Sequence, residues 1–232
     1  MAQLHHKETW KEKELLKIKD ANNFRRTAAG LCLIAGPLVT LISGLVTPWE
    51  ENETTAAYLQ AMGENPTRAQ ISALLLYFGF LLTAVGVFGI IHLLRHRAVV
   101  FGHIAGVFAV WGWVTFPGLL VSDFYDLSLA QWSNRQAAIT IFDRAEGYIG
   151  SAIMGIPVLL GVIALVLLGV ALWRARVAPL WVPVVLLLGL AIGFFGVGLV
   201  PFTSWWALWL VALGFLGLKI LRMSDEDWAR PA

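Results

Sequence analysis

Five stretches of this chain contain no Asp, Glu, Lys or Arg: residues 27–49, 69–94, 98–122, 147–173 and 177–218. A helix needs about 20 predominantly apolar residues to cross the hydrocarbon core of a bilayer. Four of the stretches suit one crossing each, and the last, at 42 residues, suits two. Their apolarity is continuous, whereas the strands of a membrane barrel alternate polar and apolar residues with a period of two. Helices are therefore expected. Composition agrees: 58% of residues are hydrophobic and 14% charged, with a mean hydropathy of +0.72. A soluble domain carries about 25% charged residues and could not hide this much apolar surface. Soluble globular folds, disordered chains and disulfide scaffolds are excluded. Cys32 is the single cysteine, so no intrachain disulfide forms.

Pro201 divides the longest stretch. Val200 before it is disfavoured in helical geometry, and Thr203 and Ser204 suit a cap for the next helix. Spans then fall at about 27–48, 70–94, 98–121, 147–173, 178–199 and 204–221. The fold class expected is all-α, a polytopic six-helix transmembrane bundle. Residues 27–222 form that domain, and 223–232 a short cytoplasmic tail. Residues 1–26 make a charged cytoplasmic segment with Glu8 near Lys11 and Glu14 near Lys17, the spacing of a solvated or membrane-surface helix. It is too polar for a signal peptide, and no small-x-small cleavage pattern follows the first apolar run.

Orientation follows from the cations. With the N-terminus inside, 14 of the 17 Lys and Arg fall on the inner side and only Arg68, Arg135 and Arg144 on the outer. This positive-inside bias puts both termini in the cytoplasm. Trp49, Trp205 and Trp206 mark the outer interface, Trp173 and Trp181 the inner one. The net charge of +2 is too small, and too unclustered, for nucleic acid.

Tight connections at about 95–97, 174–177 and 200–203 make successive helices antiparallel neighbours. The long connections, 49–69 and 122–146, face outward; Thr67 after Asn65 and Pro66 suits a helix cap. Small residues four apart (Gly102 and Gly106, Ser151 and Gly155, Gly189 and Gly193) mark faces for close helix contact. Pro37, Pro117 and Pro157 lie within spans, and the last two fall in the outer half, where kinks would open an outward-facing cleft.

The outer side also holds the main chemical candidates. Asp123 and Asp126 end the third span, and Asp143 and Glu146 begin the fourth. Each pair is spaced i, i+3, so both carboxylates share a helix face. Four acids at an apolar boundary would raise one another's pKa and, with Tyr125, bind a cationic or protonatable ligand. Trp111 and Trp113 would line an apolar pocket deeper in the span. His92, His96 and His103 gather near the inner side, but no neighbouring acid completes a metal shell and Arg95 and Arg97 flank them, so interfacial anchoring is expected. No nucleophile, phosphate-loop or zinc motif is present, and no catalytic residue, metal or cofactor is implied.

The stretch from Gly169 to Pro183 (GVALWRARVAPLWVP), with its helix-ending Leu-x-Arg and following Pro-x-Trp, resembles a recurrent feature of small uncharacterised bacterial multi-pass membrane proteins. The stretch from Asp123 to Ala130 (DFYDLSLA) is similar to them too. The resemblance implies a six-helix protein of the bacterial inner (plasma) membrane and carries no activity with it. The function expected is non-enzymatic binding of a small amphipathic or cationic ligand, or of a partner, through the outer half, as in a substrate-capture subunit of a transporter. Alternatives are an intramembrane enzyme using the four acids on a lipid or isoprenoid, and a structural or regulatory subunit. The lipid bilayer is the certain partner; a homo-oligomer or a second membrane protein fits the glycine faces.

Overall fold

The computed structural model describes residues 20–49, 54–196 and 198–229. The helical reading of residues 1–19 lies outside them. The described elements are α1 (Ala21–Val46), α2 (Thr55–Glu64), α3 (Pro66–Leu94), α4 (Val99–Leu119), α5 (Ser122–Ala130), α6 (Arg135–Glu146), α7 (Ile149–Arg174), α8 (Trp181–Phe195), α9 (Leu199–Arg222) and α10 (Asp225–Ala229), with no strand among the described residues.

Five helices are long and apolar enough to cross a membrane: α1, α3, the continuous run Val99–Ala130, α7 and α9. In that run the 21 residues of α4 already match the hydrocarbon thickness, so α5 projects beyond the crossing length. The sixth apolar helix, α8, has 15 residues. It is shorter than expected because the chain breaks earlier than Pro201. The break falls between Phe195 and Leu199, where Gly198 takes φ +89°, a region that favours glycine. Pro201 sits in the first turn of α9, where a missing amide costs no hydrogen bond. Thr203 is therefore inside the helix and donates to the Leu199 carbonyl rather than capping. Likewise α3 starts at Pro66, ahead of Thr67.

The long helices form a closed circuit of contacts. α1 packs on α3 and α9, α4 on α3 and α7, and α8 on α7 and α9. The antiparallel neighbours required by the short connections are present; the contacts of α1 with α9 and of α4 with α7 close the circuit. Its interior is filled by rings. Trp113 of α4, Phe80 of α3 and Trp206 and Trp209 of α9 lie with centroids 4.7–5.8 Å apart. Trp209 donates its indole N–H to the Leu186 carbonyl of α8 at 2.8 Å. Trp206 is thus a core residue and not part of an interfacial belt, while Trp173 and Trp181 remain exposed. The outer surface of the circuit is apolar, with Phe88, Val107, Ile149 and Phe195 all exposed.

Glycines set the closest crossings. On α1 and α3, Gly36 faces Thr83 and Gly79 faces Thr40: a Cβ on Gly36 would stand 2.7 Å from the Thr83 amide nitrogen, and one on Gly79 2.9 Å from that of Thr40. Both threonines are fully buried and satisfy their hydroxyls on their own helices, Thr40 on Gly36 O at 3.0 Å and Thr83 on Gly79 O at 2.9 Å. On α4 and α7, a Cβ on Gly112 would lie 2.6 Å from Gly161 Cα. Gly102 and Gly106 seat α4 on Leu94 and Ile91 of α3, and Gly189 and Gly193 seat α8 on Trp209 and Trp205. Ser151 and Gly155 make no such seam: both are exposed or half-exposed, and a Cβ on Gly155 meets nothing within 4 Å.

Most Lys and Arg gather at one end of the bundle; Arg68, Arg135 and Arg144 lie at the other end with the acidic residues of α5 and α6. At the basic end, α1 begins at Ala21, capped by Asp20, and so carries Arg25 and Arg26 within it. Residues 225–229 are no free tail. Trp228 is 2% exposed and stacks on His92 at 4.0 Å, and Asp225 pairs with the buried Arg26 at 3.2 Å. Arg26 also donates to the Met223 carbonyl.

A side chain forced into a filled crossing should cost about 1–3 kcal/mol, and one placed in open space within about 0.5 kcal/mol. Gly79→Val should therefore lower the thermal midpoint of the purified protein clearly, whereas Gly155→Val should leave it nearly unchanged. Equal midpoints for the two variants would contradict these crossings.

Candidate functional site

The two long connections at the acidic end are helical rather than extended. Thr54 caps α2 by accepting from Ala57 N at 3.2 Å, and Asn134 caps α6 by accepting from Ala137 N at 3.1 Å. With α5 they share a small core of their own, in which Leu59, Met62, Leu127 and Ala138 are buried. This cap sits on the bundle and places the acids.

Asp143 and Glu146 close α6 instead of opening the fourth span. Their expected place at a helix N-terminus is corrected: α7 starts only at Ile149, after Gly147 and Tyr148 end the previous helix. The carboxylates accordingly separate. Asp143 accepts from the Thr55 hydroxyl at 2.6 Å and ties α6 to α2. Asp126 and Glu146 line one cleft, together with Tyr125. Asp123, about 60° round α5 from Asp126 on the same helix face, lines a different and smaller chamber. Among the described residues no three His, Cys, Asp or Glu side chains converge as a metal site.

The cleft has a volume of about 920 Å³ and lies between α4 and α7, roofed by α5 and α6. Below it, α4 and α7 cross at Gly112 and Gly161. Beyond Pro117 and Pro157 the two helices stand apart, and Gly118 and Gly150 meet nothing within 4 Å of a hypothetical Cβ. Apolar residues such as Leu119, Phe142 and Met154 line part of the wall; Asp126 and Glu146 supply its carboxylates, and Ser122, Tyr125, Tyr148 and Ser151 its hydroxyls. Tyr125 is 70% exposed.

Burial pushes the Asp126 carboxyl up to about 6; a Tyr58 hydrogen bond, long at 3.5 Å, opposes the shift and the Glu146 charge adds to it. Burial likewise pushes Asp123 up to about 7, with the Asp126 charge adding. Among the described residues neither acid, nor Glu146, is ion-paired; Arg68 of α3 donates to the Val46 and Thr47 carbonyls, and Arg135 to those of Ala130 and Ala56.

The tryptophan pair divides as well. Trp113 is 1% exposed in the aromatic core and Trp111 is 50% exposed on the bundle exterior, so no common pocket forms. Residues two apart on a helix point about 200° apart, which the sequence already implied. Of the histidines, His92 donates to the Trp228 carbonyl at 2.8 Å, Arg95 donates to His96 at 3.1 Å, and His103 donates to Val99 O at 2.6 Å. They build the basic end.

No protein-family model matches this chain, and neither curated proteins nor solved structures give a significant match. The functional reading therefore rests on the geometry of the acidic end.

That geometry has a pH consequence. A carboxyl whose folded pKa is raised binds its proton more tightly folded than unfolded, so the fold loses stability as pH rises from the ordinary value of 3.8 through about 7 for Asp123. Asp126 adds a loss ending near 6. Unfolding midpoints at pH 5 and pH 8 should differ more in the native protein than in Asp123→Asn, with the variant the more stable of the two at pH 8. Identical pH slopes would contradict the burial of this acid.

Proposed function

We propose that the chain is a six-span protein of a bacterial inner (plasma) membrane, both termini cytoplasmic, that binds a small cationic amphiphile without chemical conversion, in the manner of a transporter's substrate-capture subunit. The observation that carries this reading is the cleft between α4 and α7. It joins an apolar wall to two carboxylates, Asp126 and Glu146, that lack ion-pair partners among the described residues. Two like charges beside an apolar surface repel each other and are costly to hold without a counter-ion. An amphiphile with a cationic head supplies that counter-ion, and its tail covers the apolar wall. A volume near 920 Å³ falls within the range of small-molecule sites, about 300–1,000 Å³.

Several features support the sidedness. The basic end collects Arg25, Arg26, Arg95, Arg97, Arg174, Arg176, Lys219 and Arg222, which in bacterial membranes favours the cytoplasm. α8 completes the circuit between α7 and α9 and so shares the slab of the other five, its length made up by the flanking turns. The cleft then faces the outer leaflet, from which a membrane-dissolved ligand enters sideways.

A second reading, a subunit that docks on another membrane protein or a second copy, is favoured by the exposed outer half of α7. There Ser151 and Gly155 lie among exposed Ile149, Ile153 and Ile156. The enzyme reading is less favoured because Asp143 is committed to Thr55, leaving two cleft acids rather than four.

Two measurements test the proposal. In intact cells an impermeant thiol reagent should label Asn134→Cys and spare His96→Cys; the reverse would invert the topology. In lipid nanodiscs the protein should bind dodecyltrimethylammonium at least tenfold more tightly than does the Asp126→Asn, Glu146→Gln double variant, about 1.4 kcal/mol. Equal affinity would remove the cleft as a cation site, and a stable dimer in the native mass spectrum would favour the docking reading.

A further inference from the structure

The chamber lined by Asp123 has a different character. Its volume is about 170 Å³, below the usual size of a drug-like site, so its guest has few heavy atoms. Three rings line it: Trp49 after α1, Tyr58 of α2 and Phe202 of α9. The first and last are fixed. Trp49 donates its indole N–H to the Gly44 carbonyl at 2.7 Å, and Trp49 and Phe202 lie 5.5 Å apart, tilted at 54°. Phe202 leans on Gly44, where any side chain would collide with its ring. Tyr58 is packed on Phe142 at 5.5 Å.

The polar groups of the wall are mostly engaged already. The Thr47 and Ser72 hydroxyls bond each other at 2.6 Å and also reach the Ser43 carbonyl, at 2.9 and 3.2 Å. Among the described residues Asp123 is the one carboxylate in the lining, and no Lys, Arg or His pairs with it. A bare metal ion requires several oxygen ligands, which this wall does not offer. A primary ammonium brings three hydrogen-bond donors to a site with one open acceptor group. An alkylated ammonium has a diffuse charge and few or no donors, and it gains from aromatic faces within about 6 Å.

We propose that this chamber recognises a small quaternary or tertiary ammonium group, held by Trp49, Tyr58 and Phe202 and neutralised by Asp123. The cavity is separate from the α4–α7 cleft and does not depend on a ligand tail, so it stands or falls apart from the function proposed above. A bound cation supplies the charge compensation that burial denies to Asp123.

The test uses the full chain in nanodiscs, choline as probe and 3,3-dimethylbutan-1-ol as the neutral isostere, read by calorimetry at pH 8. Choline should bind and the isostere should not. Asp123→Asn, which keeps shape and removes charge, should weaken choline at least tenfold, whereas the Asp126→Asn, Glu146→Gln double variant should weaken it less. Tyr58→Leu, which removes one ring face, should also weaken it. Undetectable choline binding, equal binding of the isostere, or an unaffected Asp123→Asn would each overturn the proposal, and none of these outcomes bears on the cleft.

Discussion

The crossing of α1 and α3 at Gly36, Thr40, Gly79 and Thr83 is the contact on which the bundle is arranged. In lipid the helices gain little by hiding apolar side chains from one another, because the tails around them are equally apolar. Association therefore rests on close fit, and fit is closest where backbone meets backbone. Each glycine receives the threonine of the other helix, and each threonine hydroxyl is satisfied within its own helix, so the interface carries no stranded donor. The same seam runs on through Ser43, Ser72 and Thr47 to the floor of the Asp123 chamber. A structural contact and a candidate binding wall are thus one continuous strip.

Around this strip the two ends of the bundle are built differently. At the basic end the chain folds back, and Trp228 and Asp225 close over His92 and Arg26. At the acidic end three short helices form a cap with its own core, and α5 divides the carboxylates between two cavities. Asp123 and Asp126 share one face of α5, about 60° apart, and line adjoining cavities because one edge of that face meets α2 and the other roofs the α4–α7 cleft. Both acids sit near an apolar boundary without a paired cation, which is the physical ground for assigning cationic ligands to this end.

Legibility in the sequence followed the strength of each local signal. The apolar stretches, the tight turns at about 95–97 and 174–177 and the seams at Gly102 and Gly106 and at Gly189 and Gly193 are readable, since each rests on neighbours in the chain; the turn expected at 200–203 falls instead between Phe195 and Leu199. The Gly36–Thr40 and Gly79–Thr83 spacings were equally visible but had no rank among 22 glycines, because nothing local says which small face meets which. Ser151 and Gly155 show the converse: the right spacing with no helix against it. Asp143 and Glu146 belong to α6 and not to the fourth span, because the turn at Gly147 and Tyr148 ends α6 after its acids, a break that the end of charge does not mark.

The sequence by itself determined that the chain is a set of apolar helices with most of its cations on one side and acidic long connections on the other, since length, hydropathy and charge are properties of single segments. The tertiary structure alone decided which helices touch, that rings fill the centre, that residues 225–229 dock, and that four acids become a cleft pair, a chamber residue and a helix tie. Those outcomes depend on distances between segments far apart in the chain, and no residue pattern within one segment encodes them.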